Sequence, residues 1–380
     1  MTDAGGPVAW LVVPAVGIGV GMILATAVHR LHVATAGRAE PRLAAVGRRV
    51  MIIAPVAAVG LWWWEVVCGG LLATGAVEPP AVGVARYGGH VVLFALLAAA
   101  AWIDFELRVI PDAVTVPGVI AGLVWSTFEP AALLPIVVDL PRDFAQPLSV
   151  PDVLGLAGGL RDGVVPSWLG PRPAGTGLAA ALAVVLGWWT CCTAPFFEVG
   201  VRRCGAARLL PEPRGLALAA ATLTTTAAWY VGGAAWSGLL GSLAGLVAGA
   251  AMIWLTRLGA SRALGREAMG FGDVTLMAMI GAWLGWQPCV LVCCLAVFIG
   301  LVHGGLQFVL HREAELPFGP SLCLAATVVV VCWRAVWERV GVYFSHPLDM
   351  VAVVTAVIVL TAATLFVWSR MRARPYRARR

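Results

Sequence analysis

The chain has 380 residues, of which 60% are apolar and only 12% charged. Soluble domains carry roughly 25% charged residues, so this composition excludes an ordinary soluble enzyme and reads as a polytopic membrane protein. All 26 basic residues are Arg, and the net charge of +6 sits in short loops and the tail, which suits membrane orientation and not a nucleic-acid surface.

A first span is expected over residues 8–28. It is preceded by Asp3 and no basic residue, the wrong flank for a signal peptide. The loop after it holds Arg30, Arg38, Arg42, Arg48 and Arg49 against Glu40, and an excess of Arg in a short loop predicts the cytoplasmic side, with the N-terminus outside. A second span over 50–74 carries Trp62, Trp63, Trp64 and Glu65. A third over 88–109 brings Asp104 to its cytoplasmic end.

Pro111 punctuates the next turn, and Asp112 is expected to cap a helix over 113–128. Residues 129–176 break the pattern with Asp139, Asp143, Asp152 and Asp162 against Arg142, Arg161 and Arg172. Rich in Pro and Gly, they read as an external loop. Spans over 177–197 and 215–232 flank a segment with Arg202, Arg203, Arg208 and Arg214, again cytoplasmic by charge.

Residues 237–256 then lead to Arg257, Arg262 and Arg266, and directly into Gly270-Phe271-Gly272-Asp273. The apolar stretch that follows is too long for one helix, and a split near Gln287-Pro288 predicts spans over 274–286 and 289–310. Further spans over 320–334 and 349–368 lead to a tail with six arginines. The expected fold is all-α, a polytopic bundle of roughly eight to eleven transmembrane helices with the C-terminus in the cytoplasm.

Two carboxylates are therefore predicted on one membrane face, each beside an apolar helix. Apposed carboxylates share a proton, so such a pair can hold a water, deprotonate it as it attacks a carbonyl, and protonate the leaving amine. Each also has a plainer explanation. Asp273 suits a helix N-cap, and Asp104 suits a charged helix end paired with Arg108 four residues on. Glu106 points to another face as an interfacial charge.

Glu65 inside a span is costly unless paired, and a proton relay is a secondary reading. His90 and His303 read as packing residues. The nine cysteines lie mostly in apolar runs without a CxxC pair, so neither a metal site nor a disulfide framework is indicated.

The stretch Ile103-Asp104-Phe105-Glu106-Leu107-Arg108-Val109-Ile110-Pro111-Asp112, followed by Thr115 and Pro117, resembles the first aspartate motif of type IV prepilin peptidases. Gly270 to Asp273, continuing through Leu276, Gly281, Trp283, Gly285 and Trp286, resembles their GxGD motif, and Leu316-Pro317-Phe318-Gly319-Pro320 resembles their late PFGP segment. Three segments in one order are far more specific than any alone. The resemblance implies a GxGD aspartic endopeptidase of the bacterial inner membrane that removes the leader of prepilins or pseudopilins at the cytoplasmic face. It implies Asp104 and Asp273 as catalytic residues, and Gly270, Gly272, Pro317, Phe318, Gly319 and Pro320 as shaping the substrate site. Presenilins and signal peptide peptidases share the dyad logic, but the late PFGP segment fits the prepilin branch better.

Bifunctional members also methylate the new N-terminus. Gly21, Leu24, Arg30 and Leu31 match the spacing of that N-terminal stretch, whereas Met22, Ala25 and His32 depart from it and the paired CxxC motifs are missing. Proteolysis implies no cofactor, and S-adenosylmethionine enters only if methyltransfer is retained. The expected organisation is thus N-terminal spans over 1–75, a first aspartate region over 88–128, an insert over 129–236, a second aspartate and PFGP region over 237–334, and a last span with its basic tail over 349–380. The rival reading is a transporter or membrane scaffold whose carboxylates bind a proton or cation.

Overall fold

The structure, a computed structural model, describes residues 9–36, 41–72, 78–136, 146–147, 174–193, 213–264, 269–311 and 318–345, with isolated residues between 352 and 363. Most of the expected external loop, the Arg202 to Arg208 segment and the basic tail lie outside the described residues, as does most of the expected span over 349–368.

The described chain is helical: α1 (Ala9–Ala36), α2 (Pro41–Trp62), α3 (Pro80–Leu107), α4 (Asp112–Phe128), α5 (Gly175–Thr193), α6 (Pro213–Val231), α7 (Gly233–Leu264), α8 (Phe271–Leu284), α9 (Trp286–His311), α10 (Gly319–Val331) and α11 (Trp333–Val340). Among the described residues six helices are long and apolar enough to cross a membrane, or seven if α10 and α11, bent by 83°, count as one span. The segments 112–128, 215–231 and 271–284 form shorter apolar helices, and these account for most of the difference from the expected number. A two-residue antiparallel ladder pairs Pro135 with Pro147 and Ile136 with Gln146.

Helix α8 is the hub. Every residue from Asp273 to Leu284 is buried. At 14 residues it is about 21 Å long, short of the roughly 30 Å hydrocarbon layer, so it is a central helix wrapped by longer ones. Its main neighbours are α7 and α4.

The approach to α7 depends on the absence of side chains. A Cβ on Gly281 would stand 2.0 Å from the Gly245 carbonyl oxygen, and one on Gly245 would stand 2.1 Å from that of Gly281. Small residues at such a crossing let two backbones meet closely, which is how helices gain contact where no water drives them together. One turn away the Ser242 hydroxyl donates to the Ala282 carbonyl at 2.5 Å. On the opposite side the Trp283 indole donates to the Gly118 carbonyl of α4 at 2.9 Å.

The break after α8 falls at Gly285, whose φ of +87° is open to glycine and strained for other residues. The expected split near Gln287-Pro288 is therefore displaced. Pro288 sits in the first turn of α9, where its missing N–H has no helical acceptor to lose. The expected span over 50–74 is also shorter: α2 passes into a single π-helical stretch at Trp63–Val67 and then turns.

Candidate active site

Asp104 lies in the last turn of α3 and is 5% exposed. The helix ends at Arg108, the one non-glycine with positive φ (56°) among the described residues, whose N–H donates to the Asp104 carbonyl at 2.8 Å. A left-handed cap on a side-chain-bearing residue costs on the order of 1 kcal/mol, so the surrounding contacts hold this corner. Arg108 is therefore the C-cap residue and not part of the regular helix on which the i,i+4 pair with Asp104 was expected.

Beyond the corner, Val109 and Ile110 lead to an extended Pro111 (φ −78°, ψ 133°) at the start of α4, and Ile110 and Asp104 both pack against Gly319. Pro111 is the N-cap residue of α4, and the Val114 N–H donates to its carbonyl at 2.9 Å. Asp112 is the first helical residue, so the N-cap position falls on Pro111 and not on Asp112, which corrects the sequence expectation.

Ile110 is wedged between glycines from the two later motifs. A Cβ on Gly272 would meet the Ile110 Cβ at 2.9 Å, and a Cβ on Gly319 would meet the Ile110 Cδ1 at 2.9 Å. The same Gly319 Cβ would stand 2.5 Å from Oδ2 of Asp104. Its N–H donates to that oxygen at 3.1 Å. Three stretches far apart in sequence thus converge on one isoleucine and one carboxylate.

Asp273 occupies the third position of α8 and is 7% exposed. The N-cap residue is Gly270, and Asp273 makes no capping hydrogen bond, so the helix-cap explanation does not describe it. A carboxylate in the first turn is still favoured by the helix dipole. Asp104 and Asp273 lie within electrostatic reach of each other. The Cys323 thiol on α10 is within reach of both, and Arg257 of α7 is within reach of Asp273.

The structure therefore brings Asp104, Asp273, Gly272 and Gly319 to one end of the bundle, where α3 ends and α8 and α10 begin. Gly270 is the exposed cap residue of α8, Phe318 is the cap residue of α10, and Pro320 lies in its first turn. Pro317 lies outside the described residues. Sequence reasoning missed Arg257 and Cys323. Arg257 was read only for its contribution to loop charge, and Cys323 only as a small hydrophobe.

A second buried polar cluster lies on α3 about 21 Å from Asp104 by helical rise. Glu65, 7% exposed, places Oε1 2.6 Å from Nδ1 of His90. Its Oε2 has no partner among the described residues. The π-helical stretch aims this carboxylate into the bundle, while the neighbouring Trp64 indole donates to the Val331 carbonyl at 3.0 Å. His90 is thus a hydrogen-bonding partner and not merely a packing residue, and Glu65 is buried with one oxygen paired. Nearer the start of α3, Arg86 binds Glu78 and donates to the carbonyls of Leu133 and Ala131.

Among the described residues no group of three or more His, Cys, Asp or Glu side chains is placed to hold a metal. Among the described residues α1 and α2 offer S-adenosylmethionine no carboxylate for its ammonium and sulfonium charges, and a Cβ on Gly21 would meet Ala54 of α2 at 3.2 Å. That glycine serves helix packing.

Fold and site together define a polytopic helical membrane protein with two buried aspartates, within electrostatic reach of each other, at one end of its core. Residues 207–305 match the type IV leader peptidase family, a match that includes Asp273 and leaves Asp104 outside. The chain is similar to prepilin leader peptidase/N-methyltransferases. Identity is 34% over 96 residues for the protein of Aeromonas salmonicida, covering 24% of this chain and 32% of the relative. It is 36% over 97 residues for that of Pseudomonas aeruginosa, covering 24% and 32%, and 30% over 109 residues for that of Neisseria gonorrhoeae, covering 29% and 38%. The alignments thus span about a third of each relative. No solved structure matches.

Proposed function

We propose that the protein is a membrane-embedded aspartic endopeptidase that removes the leader from prepilins or pseudopilins, with Asp104 and Asp273 as its catalytic dyad. The observation that carries this reading is the convergence of three separated motifs on one buried carboxylate pair, at the end of the bundle that Arg-rich loops assign to the cytoplasm. The family match and the names of the similar proteins support the substrate class.

Two carboxylates in one buried site hold a single proton between them and titrate as a unit. The ionised member takes a proton from a bound water as the water attacks the scissile carbonyl, and the protonated member donates to the leaving amine. The Gly319 N–H holds one oxygen of Asp104 and so fixes the carboxylate. Gly270, exposed ahead of α8, leaves room for substrate backbone beside Asp273. The bilayer is the setting, with the N-terminus outside and the C-terminus in the cytoplasm of a bacterial inner membrane.

The test is incubation of the purified full-length protein with a pilin-type precursor, read by mass spectrometry. Cleavage between leader and mature domain supports the reading, and the mass of the product also reports any added methyl group. An intact precursor overturns the peptidase in favour of a transporter or scaffold that uses the carboxylates to bind protons or cations.

A further inference from the structure

Arg257 belongs to no motif that carries the peptidase resemblance, yet it reaches that site three ways. It lies on α7, near the end at which the chain turns toward α8. Its Nε–H donates to the Met269 carbonyl at 2.9 Å, holding the residue just before Gly270. Its guanidinium stands 5.8 Å from the centroid of the Phe271 ring, the first residue of α8. Its charge also acts on the Asp273 carboxylate. One planar cation therefore touches the residues on either side of the cap glycine and faces the acid three positions into the helix.

We infer that Arg257 is a positioning residue for Asp273, clamping the Met269 to Phe271 entry to α8 and supplying the positive charge that favours the ionised member of the dyad. The inference rests on the peptidase reading above. The charged groups that face Asp273 are Asp104 from α3 and Arg257 from α7, with the Cys323 thiol from α10 near both acids. Among the described residues just named, Arg257 is thus the one cation acting on this carboxylate. An arginine suits both tasks at once: its fork gives a directional hydrogen bond while its flat face lies over a ring, whereas a lysine supplies only a point charge.

The division of labour makes the two halves separable. Arg257→Gln removes the charge, so a higher pH is needed to ionise the dyad, and the acid limb of the pH–rate profile moves upward. Arg257→Lys keeps the charge and loses the fork, so the limb stays in place while the rate falls because the α8 entry is less firmly held.

The experiment uses full-length wild type, Asp273→Asn, Arg257→Gln and Arg257→Lys in the same lipid, with one pilin-type precursor, measuring kcat, KM and the pH–rate profile. Expected for Arg257→Gln are a kcat lower by roughly ten- to a hundredfold, KM within about twofold of wild type, and an acid limb displaced upward by about half a unit or more. Arg257→Lys is expected to return the limb to its wild-type position with only part of the rate. Where wild type cleaves and Asp273→Asn does not, an Arg257→Gln variant with wild-type kcat and profile overturns the inference and leaves the peptidase standing. If Arg257→Gln does not fold, the lysine variant decides: a reduced kcat with an unmoved limb supports the clamp, and a displaced limb overturns the charge assignment. Wild type that cleaves nothing overturns the peptidase reading, and the inference falls with it.

Discussion

The backbone N–H of Gly319 donates to Oδ2 of Asp104 at 3.1 Å, joining residues 215 positions apart in the chain. The bond is possible because position 319 has no side chain: a Cβ there would stand 2.5 Å from the same oxygen. The PFGP glycine is thus a structural support for the first aspartate. Gly319→Ala is expected to push the carboxylate off this donor and lower kcat by tenfold or more, about 1.4 kcal/mol of barrier, with the helices still inserted. The check is leader cleavage set against far-UV circular dichroism of the same preparation.

The two acids act as a unit in the proposed chemistry, so neither alone suffices. Asp104→Asn and Asp273→Asn are each expected to lower cleavage by at least about a hundredfold, because an amide can neither accept the proton from water nor return one to the amine. Both variants retain the shape of the site. Product formation by either at the wild-type rate would remove that residue from the dyad.

The crossing of α7 and α8 packs the helix that carries Asp273. A side chain at Gly245 or Gly281 cannot be accommodated without moving a backbone, since the nearest atom at about 2 Å is a carbonyl oxygen in each case. Gly281→Val is expected to part the helices, at a cost of several kcal/mol judged from the usual 1–3 kcal/mol of milder overpacking. The loss shows as a lower melting temperature in detergent, and it should exceed that of a valine at Gly187, where a Cβ meets nothing within 4 Å.

The buried Glu65–His90 pair stands apart from the dyad and bears on stability. Removing one partner leaves the other uncompensated, so Glu65→Leu or His90→Leu alone is expected to cost about 3–5 kcal/mol. The double Leu variant should recover most of that loss, because buried pairs are often replaceable by apolar residues of similar volume. A double-mutant cycle on thermal or denaturant unfolding measures the coupling, and additive single losses would show that the two side chains do not interact.

Local pattern was enough for much of this molecule. Hydropathy alone identifies the membrane class, and apolar runs locate most described helices, because a helix exposed to lipid must be continuously apolar. Its ends need not be, and α1, α2, α3 and α7 each differ from the expected bounds by eight residues or more at one end at least. The three motifs carrying Asp104, Asp273 and Gly319 were likewise legible, each being a short contiguous stretch. Hydropathy could not see the end of α8 at Gly285, which is decided by one backbone dihedral inside an unbroken apolar run. Nor could it tell whether Asp273 caps its helix or faces another acid. That depends on where α3 ends, and α3 ends in a left-handed arginine which turns Ile110 back between two distant glycines. The partners of Glu65 and of Arg257 were hidden for the same reason. A side chain's chemistry is written at its own position, while its neighbours are set by which helices cross and how closely, and that is decided by packing across the whole bundle.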